Sequence, residues 1–350
     1  MAIDPAAELP SGLDVEEIVA LARRDGDKPI TGVAPSRLAL RRLRRNRGAL
    51  AFGALFVLLV AMCLAAPLYA KHVAHTDAYE NHLTETIKLH GKVTDVVSDS
   101  GVAIGPTWHG RFLLGADESG RDIAVRLLYG GRTSLEIGFA AAAITILLGI
   151  VFGILAGYLG GWVDMVISRV MDVIWPFPTV LLGVALGTAL AVGGLKIGPL
   201  EVSGSSLLIP ILIIGVIPSP YMARPLRGQV LALREKEFVE AARAQGLGPL
   251  RIMFSEILPN LSSTIIVFAP LMVANAILLE AGLSYLGAGV QAPTPSWGTM
   301  ISVGVDHMVT GPHQAIVPGA MLVLTVLALN IFGDGVRDAF DPRAKVRTVK

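Results

Sequence analysis

Residues 234–260, REKEFVEAARAQGLGPLRIMFSEILPN, form a charged segment between two long apolar runs. In the first half of this segment, four residues lie at helical spacing and predict a short helix: Phe238, Ala241, Ala242 and Gln245. Gly246 can adopt the left-handed conformation that ends a helix, and Pro249 suits the first turn of another. The segment therefore predicts a short helix, a tight turn and a second short helix that project from a membrane surface.

The composition indicates a membrane protein. Of the 350 residues, 53% are hydrophobic and only 16% are charged, with a mean hydropathy of +0.62. A soluble domain cannot bury apolar residues in this proportion. The single cysteine, Cys63, lies in the first long apolar run and excludes an intrachain disulfide.

Several apolar runs are long enough, at about 20 residues, to cross a hydrocarbon core roughly 30 Å thick. They lie at 49–70, 134–158, 164–192, 206–231, 262–286 and 314–334. The sequence therefore predicts an all-α membrane protein with six transmembrane helices.

The basic residues predict the orientation of these helices. A cluster precedes the first run: Arg37, Arg41, Arg42, Arg44, Arg45 and Arg47. A second group ends the chain: Arg337, Arg343, Lys345, Arg347 and Lys350. Because cytoplasmic flanks carry an excess of Lys and Arg, we expect both termini and 234–260 in the cytoplasm and 71–133 outside. A nucleic-acid patch is the alternative for the first cluster, and its position beside a spanning run favours a topological anchor.

These features divide the chain into segments. They are a cytoplasmic tail (1–36), an anchor with the first span (37–70), an extracytoplasmic segment (71–133), a five-helix core (134–336) and a cytoplasmic tail (337–350). Within the external segment, the stretch 71–113 is rich in polar residues with alternating apolar positions. This pattern favours a small β element around the turn at 99–101 and predicts no function for it.

The charged segment resembles the EAA loop of ABC-importer permeases, in which Glu-Ala-Ala is followed by a glycine and, later, by Leu-Pro. In that family the loop is gripped by a cytoplasmic ATPase. The resemblance assigns this coupling role to Glu240, Ala241, Ala242, Gly246, Leu247, Leu258 and Pro259.

Further stretches resemble one branch of these permeases, that of dipeptide, oligopeptide and nickel importers. LGADESGRD at 114–122 and YGGRTSL at 129–135 are similar to two segments that precede the second span in that branch. LSYLG at 283–287 with PTPSWG at 293–298, and NIFGDGVRDAFDPR at 330–343, are similar to its later motifs. The likeness is to the DppC/OppC-like subunit, and it covers the chain from about residue 38 except for the external insert.

This resemblance implies a type I ABC-importer permease fold in the cytoplasmic (inner) membrane. It implies a heterodimer with a second, homologous permease, two cytoplasmic ABC ATPases and an extracytoplasmic substrate-binding protein, with no cofactor and no nucleic acid. The implied substrate is a di- or oligopeptide; nickel or another small solute is the alternative.

Other classes of protein are less consistent with the residues. The chain has no G-x-x-x-x-G-K-[ST] phosphate loop, so ATP hydrolysis must come from another subunit. A secondary transporter ordinarily shows paired acids deep in its spans, and a membrane enzyme needs a nucleophile-base or metal constellation. Neither pattern is present in the sequence, and we expect no catalytic residues.

Histidines in the external segment raise the question of a metal site. His72 and His75, with Asp77 or Glu80, have a spacing that a metal can use. Histidine is also a common polar loop residue and no cysteine accompanies the group, so we expect no metal site here.

Two polar residues in the fifth span are candidates for the translocation path or its gate, namely Asn275 and Glu280. A carboxylate at the centre of a membrane helix costs roughly 2.5–3.5 kcal/mol unless it finds water or a partner. Glu280 therefore lines the path or forms an ion pair, with Arg132 or with an arginine of the partner permease; the sequence leaves both open.

The third span carries charges of its own. Asp164, Ser168 and Asp172 share one helix face, and Arg169 is spaced to pair with Asp172. Their position near the predicted cytoplasmic end favours local pairing or support of the 234–260 loop over contact with substrate.

Overall fold

The computed structural model describes residues 35–89, 91–198 and 200–340. The tail at 1–34 and the end of the chain at 341–350, with most of its basic residues, lie outside this description. The helices are α1 (Pro35–Arg45), α2 (Arg47–Leu64), α3 (Ala66–Tyr69), α4 (Ile123–Leu159), α5 (Gly161–Ile174), α6 (Thr179–Gly193), α7 (Leu208–Val216), α8 (Ser219–Leu233), α9 (Glu237–Ala244), α10 (Pro249–Arg251), α11 (Leu258–Tyr285), α12 (Trp297–Asp306) and α13 (His313–Phe340). Two π-helical turns, Ala70–Ala74 and Ile252–Ile257, follow α3 and α10.

Five helical stretches of the described chain are long and apolar enough to cross a membrane. They are Arg47–Leu64, Ile123–Leu159, Leu208–Leu233, Pro249–Tyr285 and His313–Phe340. A sixth crossing is formed if α5 and α6, which meet at an angle of 84°, count as one span. The prediction of six transmembrane helices agrees with this architecture.

The third span is not the continuous helix predicted at 164–192. It breaks at residues 175–178, Trp-Pro-Phe-Pro. Pro176 and Pro178 lack backbone N–H groups, and a proline ring clashes with the preceding helical turn, so an α-helix cannot run straight through this segment. Hydropathy alone gave no sign of the bend because the flanking residues are apolar.

The second span begins at Ile123 rather than at 134. The Asp122 side chain accepts hydrogen bonds from the backbone N–H groups of Ala124 (2.8 Å) and Val125 (3.2 Å), which caps the helix. The first turns of α4 carry arginines and glycines, so averaged hydropathy did not assign them to the span. Helix α4 therefore begins within the predicted external segment 71–133.

The first span also differs from its predicted bounds of 49–70. Helix α2 ends at Leu64, and the chain continues through α3 and a π-helical turn to Ala74. At the other end of the molecule, Arg42 in α1 donates a hydrogen bond to the carbonyl oxygen of Ala339 in α13, at 3.4 Å. The start of the first span and the end of the last one therefore lie on the same side.

Helix α4 is the centre of the packing, and small residues let α8 approach it closely. A Cβ added at Gly149 would lie 2.4 Å from Cγ of Met222, and one at Gly157 would lie 2.7 Å from Cβ of Val230. Both of these α8 side chains are buried. Glycines commonly serve helix contacts in membranes in this way, because dispersion contacts replace the hydrophobic effect there.

The external segment contains the predicted β element and a longer hairpin before it. Strands β1 (Thr86–Leu89) and β2 (Lys92–Asp95) pair antiparallel. An isolated bridge then joins Val97 to Ala103 around the predicted turn. A small core closes the segment, consisting of Val96, Ala103, Ile104, Phe112 and Ala116. A second hairpin, β3 (Leu195–Ile197) with β4 (Leu200–Val202), follows α6 and was not predicted.

Candidate coupling loop and translocation path

The turn after α9 has the geometry of a Schellman motif. Gly246 has φ +80°, in the left-handed region predicted for it. The N–H of Leu247 donates to the carbonyl oxygen of Ala242 at 3.1 Å, and that of Gly246 to Arg243 at 2.9 Å. These two bonds satisfy carbonyl groups that the end of the helix would otherwise leave unpaired.

The second half of the loop is joined to the fifth span. Pro249 begins α10 as predicted, but α10 continues through the π-helical turn Ile252–Ile257 directly into α11. The loop is therefore one separate short helix followed by a curved extension of the fifth span, rather than two separate short helices. Leu258 and Pro259 occupy the first turn of α11, directly after the π-helical turn, where the missing N–H of proline interrupts the regular helical hydrogen bonding.

The loop has a buried face and an exposed one. Val239, Ala242 and Ile257 are buried against the ends of the spans. The predicted coupling residues on the exposed face are Glu240, Ala241, Gly246 and Pro259, whereas Leu247 and Leu258 are half-buried. Large apolar side chains are also exposed there: Phe238, Leu250 and Phe254. Apolar side chains grouped with charged ones on a protruding loop form a surface suited to a protein partner.

An ion pair joins α8, which leads into the loop, to the third span. Asp164 accepts two hydrogen bonds from Arg227, both at 2.6 Å, and a third from Ser168 at 3.1 Å. The two-point geometry between guanidinium and carboxylate is the strongest form of this interaction. The prediction that Asp164 is paired near the loop is confirmed, with α8 as the partner helix.

Further contacts connect the loop to the end of α4. The Nη1 group of Arg234 donates to the carbonyl oxygen of Gly157 at 3.2 Å. The guanidinium of Arg243, in α9, lies 5.4 Å from the centre of the Tyr158 ring. The loop is therefore attached to the end of α4 by these contacts as well as by its buried apolar face.

The predicted pair of Arg169 with Asp172 is wrong. Asp172 accepts a hydrogen bond from Arg224 of α8 at 2.9 Å, and Arg169 is exposed, with no ion pair to any described residue. The guanidinium of Arg224 also lies 4.2 Å from the centre of the Trp175 ring. The centre of the Tyr221 ring lies 4.5 Å from that of the Trp175 ring. Sequence reasoning missed this cluster, although an arginine inside an apolar span is a recognised signal of function.

The bend of the third span opens a cavity of about 310 Å³ next to α11. Its polar lining consists of Thr145, Thr179, Tyr221 and Asn275. Thr179 is the first residue after the bend, and Asn275 is exposed on the surface of the chain. One of the two predicted path residues, Asn275, thus lies on a cavity in the middle of the spans.

Glu280 lies away from that cavity and is fully buried. One carboxyl oxygen accepts a hydrogen bond from Ser284 at 2.7 Å, and the hydroxyls of Ser134 and Ser296 lie beside the group. The other carboxyl oxygen has no partner among the described residues. The proposed ion pair with Arg132 is wrong because Arg132 is exposed and forms no ion pair with the described chain, and burial leaves no access for an arginine of a partner subunit.

The remaining motifs hold the helices together at the end where α4 begins. Asp117 accepts from the N–H groups of Ser119 and Arg121, both at 3.0 Å, and pairs with the Arg121 side chain at 2.8 Å. Burial raises the pKa of the neighbouring Asp122 carboxyl, and hydrogen bonds from three backbone N–H groups oppose this shift. Trp297 is completely buried and donates through Nε1 to the carbonyl oxygen of Leu127 at 3.1 Å.

The external histidines do not form a cluster typical of a metal site. His82 contacts Thr76 and lies 2.8 Å from Glu85, which also pairs with Arg111. His72 forms a hydrogen bond with the carbonyl oxygen of Leu68 at 3.1 Å. Within the described ranges, no group of three or more His, Cys, Asp or Glu side chains converges as metal ligands.

Comparison with known proteins identifies related chains over most of this length. The family described as "Binding-protein-dependent transport system inner membrane component" matches residues 149–346, and "N-terminal TM domain of oligopeptide transport permease C" matches 34–84. The dipeptide transport system permease protein DppC of Alkalihalophilus pseudofirmus is 35% identical over 90% of this chain and 92% of its own length. The di/tripeptide transport system permease protein DppC of Pseudomonas aeruginosa is 36% identical over 86% of this chain and 89% of its own length. The glutathione transport system permease protein GsiD of Escherichia coli is 36% identical over 87% of this chain and 89% of its own length.

Solved structures of more distant transporters also align with the chain. Two inward-facing crystal forms of the MetNI methionine ABC transporter are 21% and 20% identical, with TM-scores of 0.46 and 0.48. Each alignment covers 61% of this chain and 95% or 96% of the other one.

Proposed function

Because this chain belongs to the family of binding-protein-dependent ABC-importer permeases, we propose that it forms the membrane path for di- or oligopeptides. The related proteins support a peptide substrate, since they are permeases for dipeptides, di- and tripeptides, and glutathione. ATP hydrolysis belongs to partner subunits. The chain itself contributes one side of the path and one loop for attachment.

The main support for this proposal is the structure of the 234–260 loop. Its turn is closed by the Schellman bonds at Gly246, so the exposed face of α9 has a defined shape without a partner. The exposed face of the whole loop combines Glu240 of α9 with large apolar side chains, among them Phe254 of the π-helical turn. A preformed surface of this kind binds a partner at a lower cost in conformational entropy. The partner is the ATPase, one copy for each of two homologous permeases.

The contacts between the loop and the spans give a route for mechanical coupling. When the ATPases close on ATP, they displace α9 and, through the covalent connection, α8. The pair Asp164–Arg227 carries that displacement to α5, and Arg234 carries it to the end of α4. The break at 175–178 lets α6 move differently from α5, which changes the cavity beside Asn275. This motion opens the path alternately to the two sides of the membrane.

The orientation follows from the same elements. With the loop on the cytoplasmic side, α1 and the end of α13 are cytoplasmic too, because four spans separate α1 from the loop and two separate the loop from the end of α13, when α5 and α6 count as one span. The segment between α2 and α4, with its β hairpin, is then outside. There it meets the binding protein that delivers the substrate.

Purification with the neighbouring gene products tests the proposal. A tagged chain is expected to retain a second permease and two ATPases, and proteoliposomes of the complex should take up a labelled dipeptide only with ATP and the binding protein. Excess unlabelled dipeptide should compete, whereas Ni²⁺ should not. Competition by Ni²⁺ alone would indicate the nickel alternative, and uptake by the isolated chain driven by a proton gradient would indicate a secondary transporter.

A further inference from the structure

The cluster around Arg224 lies within the spans rather than at their ends. Neighbouring residues of α8 pack on α4, with Met222 against Gly149 and Leu226 against Gly153. Arg224 is therefore level with a part of α4 that lies about 9–15 Å before its end at Leu159, at about 1.5 Å per residue. Both glycines lie within the run 134–158 that the sequence predicts as the second span, so Arg224 is expected at membrane depth.

The charges of this cluster are nevertheless accessible on the surface of the chain. The side chain of Asp172 is 53% exposed and that of Arg224 is 36% exposed. Charged groups at membrane depth face a water-filled path or a protein partner, because lipid does not solvate them. Tyr221 lines the cavity beside Asn275 and contacts Trp175, so the cluster lies at the edge of that cavity.

Arg224 is held in place while most of its hydrogen-bonding capacity is unused. One nitrogen, Nη2, donates to Asp172, and the guanidinium plane is supported by the ring of Trp175. Its Nε and Nη1 groups have no hydrogen-bond acceptor among the residues that the structure describes. By contrast, Arg227 uses two nitrogens on one carboxylate. A guanidinium that is oriented and only partly paired is suited to bind a further carboxylate.

We propose that Arg224 binds the C-terminal carboxylate of the transported peptide, with the rest of the peptide in the cavity beside Asn275. This inference rests on the proposed peptide permease function. Asp172 and Trp175 orient the guanidinium, and Tyr221 and Asn275 are placed to contact the peptide chain. The cavity volume of about 310 Å³ is at the lower end of the range of roughly 300–1,000 Å³ that is usual for small-molecule sites.

The test compares a peptide with its C-terminal amide in proteoliposomes of the complete transporter. Arg224→Gln should lower uptake of the free peptide about tenfold, which corresponds to about 1.4 kcal/mol, and should change uptake of the amide little. The binding protein is the same in every arm, so its own preference cancels when variant and wild type are compared for each peptide. Arg224→Lys, which keeps the charge but loses the planar fork, should fall between the two. Lys196→Gln is the control, because it removes an exposed cation of the β3–β4 hairpin that does not line the cavity, and it should leave both uptake rates unchanged.

Chemical rescue gives a second measurement that does not depend on uptake of the amide. In a Cys63→Ser background, Arg224→Cys should lose uptake of the free peptide. A thiol reagent that adds a cationic aminoethyl group should restore it, and one that adds a neutral methyl group should not. Rescue by both reagents, or by neither, would overturn the proposal.

Other outcomes separate this inference from the function on which it rests. Equal loss of uptake for the free peptide and the amide would show that Arg224 does not bind the carboxylate. Loss of the second permease from the purified Arg224→Gln complex would show that Arg224 contacts that subunit instead, and would also overturn the proposal. If the wild-type complex takes up no peptide, the proposed function is refuted and the carboxylate site falls with it.

Discussion

The substitution Gly246→Ala is expected to uncouple the loop from transport. Its effect comes from backbone strain and not from a steric clash. At φ +80° a residue with a Cβ is strained, and the two Schellman bonds depend on this conformation. A Cβ at this position meets no heavy atom within 4 Å, so Gly246→Ala introduces no steric clash within the chain. The same loop provides a matched control in Gly248, which also has open space for a Cβ but has φ −69°.

The size of the effect follows from the conformational preference. An L-residue pays about 1–2 kcal/mol to occupy the left-handed region, which reduces the population of the correctly closed turn by a factor of roughly 5–30. Gly246→Val adds β-branching and should be worse, whereas Gly246→Asn should be milder because asparagine tolerates this region better than other L-residues with a side chain. Gly248→Ala carries no such penalty and should be close to neutral.

Two assays measure the consequence: ATP-dependent peptide uptake, and retention of the ATPases when the tagged permease is purified. Uptake and retention are expected to fall in the order wild type, Asn, Ala, Val at position 246. Binding of the substrate-binding protein on the opposite side should not change in any variant. If Gly246→Ala and Gly248→Ala behave alike, the left-handed turn has no part in coupling. If even Gly246→Val is normal in both assays, the coupling role of the loop is refuted.

Three further predictions concern the spans and their orientation. Asp164→Arg and Arg227→Asp should each reduce uptake, and the double variant should recover part of it, with a coupling energy of about 0.5–3 kcal/mol; no recovery would show that the pair does not link α5 to α8. Glu280→Gln should leave assembly and uptake close to wild type, because the amide fills the same volume and the carboxyl has no ion-pair partner in the described chain; lost uptake with intact assembly would show a role in the path. In a cysteine-free background, a cysteine at Asp99 should react with a membrane-impermeant thiol reagent applied from outside and one at Gln245 should not, and labelling of both would contradict the proposed topology.

The sequence predicted the parts of the fold that depend on composition along the chain. Long apolar runs and the distribution of arginines were sufficient for six spans, and local spacing was sufficient for the helix and turn that end at Gly246. Such features are encoded within a few residues of where they occur. The break at Pro176 and Pro178 was also encoded locally, but averaged hydropathy does not register it, since the flanking residues are apolar on both sides.

The site residues that sequence reasoning placed wrongly depend on contacts between distant segments. Asp172 has a basic residue at helical spacing in Arg169, yet it pairs with Arg224, far along the chain. Glu280 is surrounded by hydroxyl groups from α4, its own helix and the N-terminus of α12. Helical periodicity describes only neighbours within one helix, so it cannot select among partners on other helices.

The arrangement of charges also indicates where the permease can change shape. The acidic residues on α5, Asp164 and Asp172, are both neutralised by arginines of α8, so separating these two helices would leave charges unpaired inside the membrane. Both pairs are partly exposed, so each contributes about 1 kcal/mol or less, and together they favour movement of α5 and α8 as one body. Helix α6 carries no ionisable side chain and is joined to α5 only through the bend at 175–178. We therefore expect α5 and α8 to move together and α6 to move separately. The boundary between them lies at the bend, beside the cavity lined by Asn275. In the proposed mechanism, a displacement of the 234–260 loop would therefore change the cavity without breaking an ion pair.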